Sequence, residues 1–296
     1  MPNLKEVRNR IKSVNSTQQI TKAMKMVSAA KLRRAQDAVI QMRPYSQKLS
    51  SIMANVSAGV SIDLSENPYS EERVVEKVLI VCITSDRGLC GAFNGNVVKA
   101  VNTLIASKYS AQAAKGNVWV MPLGKKGNDY FSKRKVNHVT DYVGIFQKLN
   151  FEEVRKVAEV VMKGFVDHSF DRVELVFNEF KNVATQIVRT AQFLPLQQDV
   201  TTTSQNSTTI DYIFEPSKEE IVKELIPKSL KLAFYSALLE SNASEHGARM
   251  TAMDKATENA GELLKDLKLT YNRSRQASIT KEILEIVGGA EALASA

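Results

Sequence analysis

The sequence predicts an α/β chain in which a long antiparallel coiled coil, made from the two ends, brackets a central α/β domain. Three observations carry this. Residues Asn3–Val56 contain no Gly and one Pro, Pro44; Lys228–Val287 contain no Pro and two Gly, Gly247 and Gly261. Between them the hydrophobic period changes from helical to strand-like. Globular helices average about 11–12 residues, whereas a run of roughly 55 residues spans about 80 Å at about 1.5 Å each. A polar helix of that length does not stand alone, so the two ends are expected to pair as a rod. The boundaries that follow are 1–57 for the first helix, 58–73 for a linker, 74–215 for the central domain and 216–296 for the last helix.

The first helix shows apolar steps of three and four: Leu4, Val7, Ile11, Val14, then Ile20, Met24, Val27. The six-residue step from Val14 to Ile20 predicts that the seam jumps to a new stripe. Beyond Lys31 it resumes as Ala35, Ala38, Met42, Tyr45, Leu49, Ile52 and Val56. Pro44 lacks an N–H and is expected to kink or interrupt the helix. The last helix repeats the spacing through Leu232, Tyr235, Leu239, Asn242, His246, Met253, Thr257, Ala260, Leu264, Leu267 and Tyr271, with one step of seven across Arg249/Met250. Several of these seam positions are polar or small.

In the middle, Val74–Thr84, Asn117–Leu123, Arg172–Phe180, Thr185–Leu194 and Ile210–Phe214 read as strands. Asn94–Ser107, Lys125–Lys135 and Phe151–Asp167 read as helices. Strand–helix–strand alternation argues for a Rossmann-like layer with parallel pairing that ends in a hairpin. Asp199–Thr209, rich in Thr and Ser, reads as a loop.

Composition narrows the function. No apolar run approaches the ~20 residues of a membrane span, and no secretory or transit segment is expected. Two cysteines, Cys82 and Cys90, are too few for a disulfide framework or a Cys-rich metal site. The net charge of +8 is uneven: residues 1–56 hold 11 Lys/Arg against 2 Asp/Glu, and the rest of the chain holds 29 against 30. The excess therefore rides on the first helix, which favours acidic partners. A solvated basic face explains the same charge. A basic coiled coil that binds nucleic acid is a third reading, weakened because Tyr45 is the only aromatic residue in the first 56.

No catalytic constellation emerges. The turn Thr84-Ser-Asp-Arg-Gly-Leu-Cys-Gly91 has glycines between a strand and a helix, where backbone N–H groups can cradle phosphate. It matches neither GxGxxG nor GxxxxGK[ST]. A tight turn tied locally by Asp86 and Arg87 is the plainer reading. His138, His168 and His246 are far apart in sequence, and Cys90 has no identifiable base. No catalytic residue, cofactor or metal is expected. The C-terminal stretch Ile286–Ala296 is small and apolar almost all round, as if received by a sleeve; simple fraying of the helix end fits the same composition.

Three blocks carry a resemblance to a known family: Ile20–Gln36, Ser85–Gly91, and Ala243–Met253 continuing through Tyr271–Ile283 and Glu285–Leu293. Together they resemble the gamma subunits of F-type ATP synthases, the central rotor shaft. The likeness covers both helices, while Asn94–Asp211 matches mainly in length and strand order. It implies one copy per complex, bound to the alpha and beta subunits of the catalytic hexamer, the epsilon subunit and the c-subunit ring, with no nucleic acid. It implies a peripheral protein on the cytoplasmic face of a bacterial inner membrane. Carried over by position, the contacts are Met24 with basic Lys22, Lys25, Arg33 and Arg34 on the first helix. On the last they are Arg275, Gln276, Thr280 and Glu282, with Ile286 and Val287 in an apolar bearing. Gly261 departs from expectation, since a helix-interior Gly costs about 1 kcal/mol relative to Ala.

Overall fold

A computed structural model describes residues 4–58, 67–134, 136–183, 185–196 and 218–294. The strand expected at Ile210–Phe214, the loop at Asp199–Thr209 and part of the linker lie outside these residues. The chain divides into two compact units, Met1–Ser28 with Met250–Ala296, and Ala29–Arg249. Two long helices, α1 (Leu4–Ala58) and α6 (Lys218–Ala294), contribute to both.

In the first unit, α1 and α6 pair antiparallel. Arg8 donates to the Tyr271 hydroxyl at 2.8 Å, Gln18 to the Thr257 carbonyl at 3.4 Å, and Lys25 to Asp254. The side chains of α1 that turn inward are Leu4, Val7, Ile11, Val14, Gln18, Thr21, Lys25 and Ser28. These steps of three and four never break, so the seam does not jump. Ile20 and Val27, the expected new stripe, are 59% and 58% exposed. The heptad phase set by Leu4–Val14 carries straight through and places polar side chains inside. On α6 the inward side is Met253, Thr257, Ala260, Leu264, Leu267 and Tyr271, as the sequence spacing predicts.

The second unit holds a five-stranded sheet in the order β3-β2-β1-β4-β5, with β1 Val78–Ile83, β2 Val118–Leu123, β3 Asn137–His138, β4 Arg172–Phe180 and β5 Gln186–Leu194. β1 runs parallel to β2 and β4, β2 parallel to β3, and β4–β5 form the antiparallel hairpin. Every residue of β1 is buried, as a central parallel strand requires. Its alternate side chains feed two cores. Leu79, Val81 and Ile83 face α5 (Phe151–Val166) and α6. Val78, Ile80 and Cys82 face α2 (Phe93–Lys108), with Phe131 of α4 (Lys125–Phe131) in the same core. Helix α5 begins where Asn150 caps the Glu153 N–H at 2.9 Å, with Glu152 and Glu153 in its first turn opposing the helix dipole. A short helix α3 (Ser110–Ala114), the strand β3 and a 3-10 turn at Ile145–Lys148 lack a sequence signal of their own.

Helix α1 is not interrupted at Pro44. Leu32, Ala35 and Val39 before it, and Leu49 after it, are buried, so packing on both sides offsets the missing hydrogen bond and the ring clash. Tyr45, expected in the seam, is exposed. Pro227 sits inside α6 in the same way, between buried Ile226 and Leu230.

Candidate functional site

The turn after β1 is the best-built polar site. Thr84 Oγ1 accepts from the Gly127 N–H at 2.9 Å, Asp86 from the Lys125 N–H at 3.1 Å, and the Ser85 N–H donates to Asn94 Oδ1 at 2.9 Å. Asn94 Nδ2 also donates to Cys90 Sγ at 3.2 Å, and Cys90 is buried. Leu89 takes a positive φ of 65°. The carbonyls of Arg87 and Gly88 turn toward α6, where Arg249 Nη2 donates to them at 2.9 and 3.4 Å. A phosphate cradle needs converging N–H groups; here carbonyl oxygens converge on a guanidinium. The tie expected from Arg87 thus runs through its backbone. Gly124 is there for close approach, because a Cβ would lie 2.1 Å from the Thr84 carbonyl oxygen.

Arg249 is mostly buried and also donates to Glu245 Oε1 at 2.6 Å. Burial holds the Glu245 carboxyl above its usual value, although Arg249 pulls it down; Asp86 adds to the rise and Lys31 opposes it. His246 is pushed down to about 4 by burial and by the neighbouring Arg249 and Lys31. It is a packed helix residue rather than a ligand. Cys82 is pushed up to about 12 by burial. Among the described residues no three His, Cys, Asp or Glu side chains gather as a metal site. No described helix is long and apolar enough to cross a membrane. The Glu245–Arg249 tie leaves one signal in the sequence, the i,i+4 spacing of opposite charges.

The expected contact residues fall into two groups. Arg275, Gln276, Thr280, Glu282, Ile286 and Val287 are all exposed on the last stretch of α6. The pairing of Arg8 with Tyr271 and Lys25 with Asp254 puts Leu4 level with Arg275. Past that point α6 continues to Ala294, roughly 28 Å of helix at about 1.5 Å per residue, with no described part of α1 alongside. Ile279, Ile283, Leu284, Ile286 (72%) and Val287 all stand exposed there. On α1, Lys22, Arg33 and Arg34 are exposed and Met24 is half-buried. Lys25 differs, since its charge is paired with Asp254 within the helix pair.

These features define a class. The chain offers contact surfaces: a basic helix, and an apolar helix end that its own described residues leave uncovered. It is a subunit made to be held by other chains. The family model for ATP synthase matches residues 3–293. The ATP synthase gamma chain of Cytophaga hutchinsonii is 63% identical over 294 residues, covering 99% of each chain, and that of Christiangramia forsetii is 56% identical over 293 residues with the same coverage. Among solved structures, the Tetrahymena thermophila mitochondrial ATP synthase central stalk/c-ring aligns at TM-score 0.55 and 26% identity, over 80% of this chain and 99% of that one. A chain of the Euglena gracilis mitochondrial ATP synthase shares the fold at TM-score 0.67 and 21% identity, over 98% of this chain and 94% of that one. The chain belongs to the ATP synthase gamma chain family.

Proposed function

We propose that this chain is the central rotor stalk of an F-type ATP synthase. It couples proton flow through the membrane ring to ATP synthesis and hydrolysis in the alpha–beta hexamer by rotation. It is a non-catalytic subunit, present once per complex, whose partners are the alpha and beta subunits, the epsilon subunit and the c-subunit ring. It lies peripherally on the cytoplasmic face of a bacterial inner membrane. The single observation that carries the reading, beside family membership, is the exposed apolar end of α6. A run of exposed apolar side chains on a helix end marks a surface that a partner covers.

Rotation acts through asymmetry. The two helices are 55 and 77 residues long, and among the described residues α6 runs past the start of α1. A turning asymmetric shaft presents each beta subunit with a different surface in turn, and only such a difference in contact free energy shifts open against closed populations. Met24, Lys22, Arg33 and Arg34 on α1, and Arg275, Gln276, Thr280 and Glu282 on α6, are the side chains that would meet the hexamer, with Ile286 and Val287 in its bearing. Lys25 contributes less net charge than the others because Asp254 offsets it. Co-expression with alpha and beta chains tests the reading: one copy of this chain should elute with three of each. Elution apart from them would refute it, and salt-sensitive DNA affinity mapped to residues 1–56 would favour the nucleic-acid reading.

A further inference from the structure

The seam of the first unit is apolar at one end, through Leu4–Val14 against Leu264–Tyr271, and polar over the next three turns of α1. The polar part is bonded across the pair. Thr257 Oγ1 lies 2.8 Å from Thr21 Oγ1, and each hydroxyl also reaches a carbonyl of its own helix, Met253 at 2.7 Å and Gln18 at 3.0 Å. Two hydroxyl protons face three close contacts, so two of the three are donated at once, and the approach of Thr257 to Thr21 exists only at this alignment. The Gln18 amide donates to the Thr257 carbonyl, and Lys25 donates to Asp254. Gly261 makes room for this arrangement: a Cβ there would stand 3.1 Å from Gln18 Nε2. That is a packing reason for the one glycine that departs from a good helix sequence in this part of α6. Meanwhile Ile20 and Val27, which would fill an apolar seam, point outward.

We propose that Gln18, Thr21, Lys25, Asp254 and Thr257, with Gly261, form a register lock that fixes how far α1 is slid along α6. Apolar seams accept neighbouring registers, because Leu, Ile and Val interdigitate similarly one turn along and specify alignment weakly. A polar layer resists this, since a slip separates Thr21 from Thr257, Gln18 from the Thr257 carbonyl and Lys25 from Asp254, and single polar seam positions are known register devices. The lock positions the side chains at the end of α6 relative to those of α1. That consequence rests on the rotor function proposed above, whereas the register itself does not.

The test reads register in the full chain. Spin labels are placed at Asn9→Cys and Glu258→Cys in a Cys82→Ala, Cys90→Ala background, and the distance distribution is measured by pulsed dipolar spectroscopy. These positions are offset along the axis, so a slip of one helical turn, about 5 Å, shifts the distance by nearly that amount. The locked chain should give one narrow distance. The near-isosteric variant Gln18→Met, Thr21→Val, Thr257→Val should keep its helicity and add a second population about 5 Å away. A single, unshifted distance in that variant overturns the proposal. Should the triple variant lose helicity, Thr21→Val alone is read with the same labels: broadening supports the lock, and an unchanged narrow peak overturns it. Neither result depends on whether the chain assembles with alpha and beta subunits.

Discussion

Removing the guanidinium of Arg249 tests the reading of the turn after β1. Glu245 and Arg249 are 7% and 8% exposed, so Arg249→Ala leaves a buried carboxylate without its partner. Breaking a buried pair in this way costs about 3–5 kcal/mol when the remaining group is charged. When that group is neutral, the main loss is the donor to the Arg87 and Gly88 carbonyls, about 1–3 kcal/mol. The sign follows from Glu245, whose pKa in the folded chain lies above its ordinary value of 4.5. A raised carboxyl pKa contributes stability that is present below the unfolded value and lost as pH rises through the folded one. Taking Arg249 away removes the opposing pull and raises it further, so the destabilisation should grow from about pH 4.5 upward, reaching its larger value by pH 8. The assay is denaturant unfolding of the full chain followed by the fluorescence of Trp119, the single tryptophan, which sits on β2 in the 29–249 unit. Adding Glu245→Gln to the variant should flatten the pH dependence. Equal destabilisation at pH 5 and pH 8, or a slope that survives Glu245→Gln, would refute the argument.

Gly124→Ala forces a Cβ to within 2.1 Å of the Thr84 carbonyl oxygen at a backbone φ of 122°, and it should destabilise by more than about 4 kcal/mol on the Trp119 signal. His246, depressed to about 4 from 6.5, contributes stability that is present above pH 6.5 and lost as pH falls toward 4; His246→Gln should flatten that acid limb in pH-dependent melts. Truncating Gly288–Ala296 should leave the melting of the isolated chain unchanged, since Gly288–Glu291 are exposed, while complexes with alpha and beta chains dissociate faster in size-exclusion dilution series; undiminished complex stability would remove the role of the tip.

Sequence pattern was most informative where one periodicity ruled. β1, β2, β4, β5 and α5 were readable because burial on one or both faces leaves a regular apolar trace, as in Val78–Ile83 and in Val154, Val157, Val161 and Phe165. It misled at Gln18–Ser28, because apolar identity and inward direction part company there. Ile20 and Val27 are apolar yet outward, while Thr21 and Ser28 are polar yet buried. Steps of three and four counted from Leu4 alone would have found the true seam; counting only apolar residues could not. Pro44 misled for a different reason, since a local penalty yields to buried anchors on either side. The link from Arg249 to the turn leaves no trace in the sequence because those partners are backbone carbonyls, which carry no residue type, whereas its pairing with Glu245 shows only as an i,i+4 spacing of opposite charges.

The reversal at Gln18–Ser28 and the bare end of α6 make one physical point. A self-sufficient coiled coil places side chains such as Ile20 and Val27 inside and ends both helices together. This chain puts hydroxyls inside, apolar side chains outside, and lets one helix run on uncovered. Each choice gives up stability in the isolated chain, and each becomes favourable when an apolar surround takes up the exposed side chains. The outward residues are then available for contacts that change as the shaft turns, while the bonded inner layer keeps the two helices from sliding as the load alternates. An apolar seam would hold the helices together more tightly, yet would leave their alignment less defined and give the partner subunits less to grip.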